Sequence, residues 1–489
     1  MPGFRARSAP APGPGLRRSL TTRDLVVYGL LFIAPMAPVG IFGALDARSH
    51  GTVPLVYVVA TVAMAFTASS YVRMLRAVPQ AGSVYAYASA GLGRGPGFVA
   101  GWMAMLDYVL IPAVAYLFCG IAMEQLVPAV DQWIWTALAV LLSTALNLSG
   151  VRRAASVGFV VLLMEIAVLL LFVVAALVVL VRDGTERGWL TPFTSDTGFS
   201  TTALLGAVSV AVLSFLGFDA IANFAEETRG EGGPAPARVA RALVFCLVTA
   251  GVLFLVQTYL AALLSGESSA ELADRPADQD AAFYDATGSA VGDWLGNTVA
   301  FSKAVGAAFA ALAGQAAAGR LLFAMARDGR LPRPLSRVHP RTDVPGRALL
   351  LTALITLCAA VWAARADGGL GRLVSVVDIG ALTAFALLHL SVIGYYGLRR
   401  RGGPPMSVGR DWVVPLVGLG IVVAVIVTAH REAHLVGLAW LLVGLAVLAV
   451  LWYRGRGPLS PVRGPLGPPG PEPGFDPEPG SGSGKSPSP

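Results

Sequence analysis

Between Leu25 and Tyr453, apolar runs long enough to cross about 30 Å of hydrocarbon as helices follow one another, parted by short polar segments. Hydrocarbon offers the backbone no hydrogen-bond partner, so only helices and closed barrels span it, and no period-two alternation competes here with the continuous runs. The pattern predicts twelve spans, at 25–46, 53–75, 97–126, 132–149, 155–182, 201–228, 238–264, 292–324, 345–364, 371–398, 411–429 and 434–453. The expected class is an all-α polytopic membrane protein.

Two spans carry interruptions near their middles. The first holds Ala34, Pro35, Met36, Ala37, Pro38, Val39 and Gly40, where two prolines remove backbone donors and a glycine permits unusual dihedrals. The sixth breaks over Ser214, Phe215, Leu216, Gly217 and Phe218, with an acid, Asp219, directly after. These spans stand five apart in the order, and unwound helices in matching halves of a chain are the pattern of a transporter site built from exposed carbonyls and half-helix ends. Each break taken alone also reads as an ordinary kink, since proline and glycine are tolerated in membrane helices.

Composition agrees with lipid as the solvent. The chain is 55% hydrophobic and 13% charged, against roughly 25% charged in soluble domains, too little polar material to cover a water-facing surface. Most of its 36 Lys and Arg residues fall in the even-numbered loops and the tails, so the positive-inside rule places both termini in the cytoplasm. The net charge of +7 therefore reports topology and gives no ground for a nucleic-acid partner. Residues 1–24 lack the apolar core of a signal peptide and read as a disordered cytoplasmic tail; residues 454–489, rich in Pro, Gly and Ser, read as another. In that tail Gly480 to Ser486 imitates a phosphate loop, but Pro479 stands where glycine is needed and no strand precedes it. Cys119, Cys246 and Cys358 are scattered through apolar spans and read as buried small hydrophobes, and His430 with His434 lacks further ligands, so no metal or cofactor site is expected. No convergent nucleophile set points to an enzyme.

Five ionisable residues fall well within spans: Asp107, Glu165, Asp219, Asp378 and Lys303. Charge at that depth is expensive and should face the bundle interior. Four acids against one base leave three negative charges in excess, which suits a cationic substrate, a bound proton or both. Asp219 reads as the amine-binding or protonating group, with a structural hydrogen bond across the break as the alternative. Asn223 and Glu226 follow it at i+4 and i+7 on one helical stripe, with Glu227 beside them at the inner mouth, where a solvated helix end serves equally well. Asp107 either meets a far ammonium of the substrate or pairs with Lys303. Glu165 is a proton-coupling candidate or, again, a partner of Lys303. Lys303, the lysine that precedes the tail in an arginine-rich chain, is able to lose a proton where arginine is not, so it reads as a fixed cation or proton switch, or else as a side chain snorkelling to the interface marked by Trp294. Phe215, Phe218 and Tyr108 offer ring faces to an ammonium, or simply pack.

SFLGFDAIANFAEET (Ser214 to Thr228), AGSVYAYA (Ala81 to Ala88), GWMAMLDYVLIP (Gly101 to Pro112), RLLFAMARDGRLPR (Arg320 to Arg333) and DIGALTAFALLHLSVI (Asp378 to Ile393) resemble the amino acid/polyamine/organocation permeases, and within them the bacterial putrescine importers. The resemblance implies a LeuT-like fold: two inverted five-helix repeats, 25–182 and 201–398, and two added helices in 411–453, with helices 1 and 6 unwound at mid-membrane. It implies proton-coupled uptake, rather than sodium coupling, of a small amine or amino acid through the bacterial cytoplasmic membrane. The substrate would lie among Ala37, Pro38, Gly40, Asp107, Tyr108, Ser214, Phe215, Gly217, Phe218 and Asp219. Two departures stand out. Amino-acid permeases carry a glycine-rich turn in the first helix that holds the substrate carboxylate, whereas Pro38 here has no N–H to donate, which favours recognition through an amine. Lys303 is foreign to the putrescine-importer pattern and counts against close similarity of substrate.

Overall fold

The computed structural model describes residues 20–79, 83–228, 235–327, 329, 331–339, 342, 344–366, 369–399, 407–428 and 431–453. In chain order its α-helices are α1 (Thr22–Ile33), α2 (Phe42–Ser49), α3 (Val53–Ala77), α4 (Ser83–Gly91), α5 (Arg94–Leu126), α6 (Gln132–Leu148), α7 (Val151–Arg182), α8 (Thr191–Thr194) and α9 (Thr201–Ala211). Then come α10 (Ala235–Leu264), α11 (Ser269–Asp274), α12 (Ala282–Val291), α13 (Asp293–Arg327), α14 (Gly346–Arg365), α15 (Gly369–Val392), α16 (Val414–Thr428) and α17 (Arg431–Leu451). Among the described residues the β-structure is one isolated parallel bridge between Leu20 and Thr228.

Among the described residues, eleven stretches are long and apolar enough to cross a membrane. The expected fourth span is shorter than the rest: α6 has 17 residues, about 26 Å of helix at 1.5 Å per residue. The expected N-terminal tail, 1–24, ends earlier than its composition indicated. Thr21 caps α1, its Oγ1 accepting from the Asp24 N–H at 3.3 Å while the Asp24 carboxylate accepts from the Thr21 N–H at 2.8 Å, a reciprocal cap that starts the helix inside that segment. Residues 1–19 and 454–489 lie outside the described residues.

Burial separates core helices from rim helices. Of the most apolar stretch of α13, 89% of residues are buried, against 17% in α17. The rim helices turn side chains such as Val160, Val174, Leu354 and Leu438 outward, where lipid is the natural solvent. Cys358 is also exposed, correcting the reading of all three cysteines as buried: it sits on the outward face of α14. At the centre α13 packs against α5 through a surface of small residues, Ala307, Ala310, Ala311 and Gly314 among them. Without bulky side chains the two backbones approach closely, the usual means of helix association in lipid.

Both expected interruptions are departures from α-geometry. Helix α1 stops at Ile33; Ala34 takes φ 58°, and a 3₁₀ turn spans Ala37–Ile41 before α2. A non-glycine residue there is strained by about 1–2 kcal/mol. In the second, α9 tightens into a 3₁₀ turn at Val212–Phe215, Leu216 is extended, and Gly217 takes φ 105°. The chain continues as 3₁₀ helix over Phe218–Glu227. At three residues per turn, positions i+4 and i+7 from Asp219 lie a third of a turn away from it, unlike the near-common face an α-helix would give them. The side chains of Asn223, Glu226 and Glu227 are outside the described residues. The two breaks touch: a Cβ on Gly217, or on Gly314 of α13, would strike the ring of Phe32 near the end of α1.

Candidate functional site

The first break frees carbonyls that water cannot reach, and three of them have donors from elsewhere. Gln257 Nε2 of α10 donates to the Pro35 carbonyl at 2.8 Å. Lys303 Nζ of α13 donates to the Met36 carbonyl at 3.1 Å and the Ala37 carbonyl at 3.4 Å, and lies over the Phe118 ring at 4.9 Å. At 3% exposure Lys303 does not snorkel, although Trp294 on the same helix is exposed. Gly40 keeps the approach open, because a Cβ there would meet Phe118 and Lys303 Cε. Behind the lysine, Glu165 of α7 is fully buried against Gly306 with both carboxylate oxygens unbonded. Lys303 and Glu165 act on each other electrostatically without a direct hydrogen bond. Asp107 is not the partner of Lys303; the lysine is committed to the break.

A small cavity opens beside the two breaks. Its walls are Phe32, Ile33, Ala34, Ala37 and Ile41 from the first break, Leu213, Ser214 and Leu216 from the second, Ile111, Val114, Ala115 and Phe118 from α5, and Lys303, Ala307 and Ala310 from α13. Of the residues expected to bind substrate, Ala37 and Ser214 line it. Pro38 and Gly40 are buried in the turn, and Gly217 is covered by Phe32.

Past the second break the polarity inverts. Asp219 is 1% exposed; its Oδ2 accepts from Tyr71 Oη of α3 at 2.8 Å and from the hydroxyl of Tyr108 of α5. Its Oδ1 makes no hydrogen bond of good geometry, though the N–H groups of Gly217 and Asp219 lie close. Asp107 of α5 and Asp378 of α15 each bury an Oδ1 without a partner, and Asp107 lies within electrostatic reach of both Asp219 and Asp378. Gly380 permits this, since a side chain there would clash with the α5 backbone at Met103 and Asp107. The Tyr87 hydroxyl of α4 is buried nearby, also unbonded. Phe215 packs against Tyr57 and Phe254, and Phe218 against Tyr71 and Phe385. Both rings are engaged in packing, the alternative offered for them above, and the ammonium of Lys303 lies over Phe118.

Sequence reasoning missed Tyr71, Tyr87, Phe118 and Gln257. Tyr87 lay within a family motif, AGSVYAYA, and Gln257 was readable as a solitary amide in an apolar span. Nothing local distinguishes Tyr71 or Phe118, whose roles arise from which helix each faces.

At one end of the bundle the loop after α7 is clamped to α2. Arg187 donates from Nη1 to Asp46 Oδ1 at 2.9 Å and from Nη2 to Asp46 Oδ2 at 2.7 Å. Burial alone would depress the guanidinium, but the bond to Asp46 and its charge outweigh burial and hold Arg187 above its ordinary range. Asp196 accepts from the Ser269 N–H at 2.9 Å and its hydroxyl at 2.5 Å. Partial burial works against its charge, yet these bonds and Arg187 keep its carboxyl below the usual carboxylate range. At the other end of the bundle, Arg73 of α3 pairs with buried Asp411 and lies over the Tyr396 ring.

Residues 25–453 match the family model described as amino acid permease. The chain is 30% identical over 451 residues to the low-affinity putrescine importer PlaP of Escherichia coli (strain K12), covering 91% of this chain and 96% of that protein. It is 26% identical to the methylthioribose transporter of Bacillus subtilis (strain 168), covering 90% and 94%, and 26% identical to the branched-chain amino acid permease BcaP of Lactococcus lactis, covering 88% and 93%.

Proposed function

The chain belongs to the amino acid permease family, and from that premise we propose that it is a secondary active transporter that takes up a small organic amine, putrescine-like or an amino acid, together with a proton. In this reading α6 crosses the membrane as a twelfth span, the spans form two inverted five-helix repeats plus two, and both tails face the cytoplasm of a bacterial cell. The breaks in spans one and six hold the substrate, and the bundle that carries them rocks against the remaining helices.

One observation carries the reading: the carboxylate of Asp219, buried beside the second break and fixed by two tyrosine hydroxyls, with an oxygen left over. An ammonium or a proton satisfies that oxygen and relieves the repulsion from Asp107. Glu165 and Lys303 supply a second titratable pair at the first break, so charge is able to move on both sides of the cavity in one cycle. The Escherichia coli relative's name supports a diamine; the family as a whole supports amines and amino acids alike.

The test is uptake of labelled putrescine and of a labelled neutral amino acid, in parallel, into proteoliposomes under an inward proton gradient. Gradient-driven accumulation of at least one is expected. Asp219→Asn should lower it about ten- to a hundredfold, the loss of one charged hydrogen-bonded contact of roughly 1.5–3 kcal/mol. Glu165→Gln should keep exchange but lose the response to the gradient. Uptake indifferent to Asp219→Asn would reduce that residue to a structural tie. Uptake indifferent to the gradient would remove the coupling and leave the transporter.

A further inference from the structure

The cavity beside the breaks has one ionisable side chain in its lining, and it is a base. On α13 the exposed face reads Lys303, Ala307 and Ala310, at i, i+4 and i+7; on α5 it reads Ile111, Val114, Ala115 and Phe118. Among the described residues no acid contributes to the walls: Glu165 stands behind Lys303, fully buried, and Asp107 gathers with Asp219 and Asp378. We propose that Lys303 is the specificity-determining residue for substrate charge, receiving a carboxylate at the end of the molecule remote from its ammonium and turning away a second ammonium. The substrate class that follows is a monoamine monocarboxylate with a short apolar body, not a diamine. The proposal rests on the reading above that an ammonium is held at Asp219.

Three facts support it. An ammonium has three donors, and Lys303 spends two on the Met36 and Ala37 carbonyls, so one remains for the cavity. The walls around it are apolar, which strengthens both attraction to an anion and repulsion of a cation relative to water. A diamine would need a free acid at each end; Asp107, Asp219 and Asp378 lie together at one, and at the other Glu165 stands behind the ammonium of Lys303. The competing account is that Lys303 only plugs the break; it predicts that removing the lysine harms every ligand equally.

The experiment uses the full chain purified in detergent and four ligands with four carbons each: 4-aminobutyrate, 2-aminobutyrate, n-butylamine and putrescine. Affinities are read from ligand-induced thermal stabilisation and from mutual displacement. In the native protein one of the two carboxylates is expected to bind at least roughly tenfold more tightly than n-butylamine, and putrescine less tightly than n-butylamine. Lys303→Met should collapse that preference, weakening the better carboxylate far more than n-butylamine, and Lys303→Arg should keep it. Putrescine ranking first, no preference among the four, or a uniform weakening by Lys303→Met would each overturn the proposal. The native ranking decides the matter even if Lys303→Met does not fold. Asp219→Asn separates the two readings: if it changes none of the four affinities, the ammonium site has failed, whereas a wrong ranking with that effect intact sinks only the role of Lys303.

Discussion

The two interruptions of the bundle resemble one another in backbone and oppose one another in charge. At the first, freed carbonyls face inward and are met by donors, the amide of Gln257 and the ammonium of Lys303. At the second, the chain delivers an acid, Asp219, and hydroxyls from α3 and α5 close on it. A broken helix is thus a neutral device whose polarity is decided by its neighbours: an unpaired carbonyl is an acceptor awaiting a cation, while a glycine turn merely aims whatever side chain follows. Between the two lies an apolar cavity with a base on one side.

The largest way to break this comparison is Gly217→Ala. The position has φ 105° and its missing Cβ is the space taken by Phe32 of the other break, so left-handed strain and overpacking together should cost about 3 kcal/mol. A fall in thermal stability in detergent greater than for any change below is expected; an unaltered transition would mean the breaks do not interlock. Next comes Gln257→Leu, which leaves the Pro35 carbonyl buried without a donor. About 1–2 kcal/mol should be lost, the low end because Gln257 Oε1 is itself buried without a partner, and ligand affinity should fall with it. Equal stability would show that the first break relies on Lys303 alone. The smallest effect sharpens the comparison from outside the breaks. Asp196 is held below its ordinary range, so its ionised form stabilises the fold above the unfolded value, roughly pH 3.9, and that contribution fades as pH falls through the lower folded value. Asp196→Asn should therefore lower stability by a few tenths of a kcal/mol near neutrality, where exposure limits such ties, with the difference from the native chain vanishing towards pH 3. A difference that persists in acid would assign it to packing.

Much of this was written in the order of residues. Pro35, Pro38 and Gly40 mark a place where α-geometry cannot continue, and Gly217 followed by an acid marks another; both follow from local covalent constraints, so one sequence suffices to find them. The spans were legible for the same reason, apart from α6, whose short apolar run sits at the limit of what crosses hydrocarbon. Less could be read of the partners. Lys303 stood out as an isolated charge, but that it reaches the first break rather than Asp107 depends on the rotation of α13 against α1, which is set by packing across the bundle. Phe215 and Phe218 looked like cation receivers because they flank the break, yet the fold sets other rings against them; Phe118 of α5, unremarkable in sequence, is the ring beneath the Lys303 ammonium. Tyr71 was invisible because α3 carries two tyrosines, Tyr57 and Tyr71, and nothing in their local sequence says which neighbour either one faces.

The cation at the first break is tethered. A dissolved ion in the same cradle of carbonyls would come and go with its concentration outside the cell, and the segment between α1 and α2 would loosen whenever the medium was depleted of it. Lys303 is carried on the same covalent chain as the carbonyls it meets, so its local concentration is fixed by the fold. The geometry of that half of the cavity is thereby insulated from the salt composition of the surroundings.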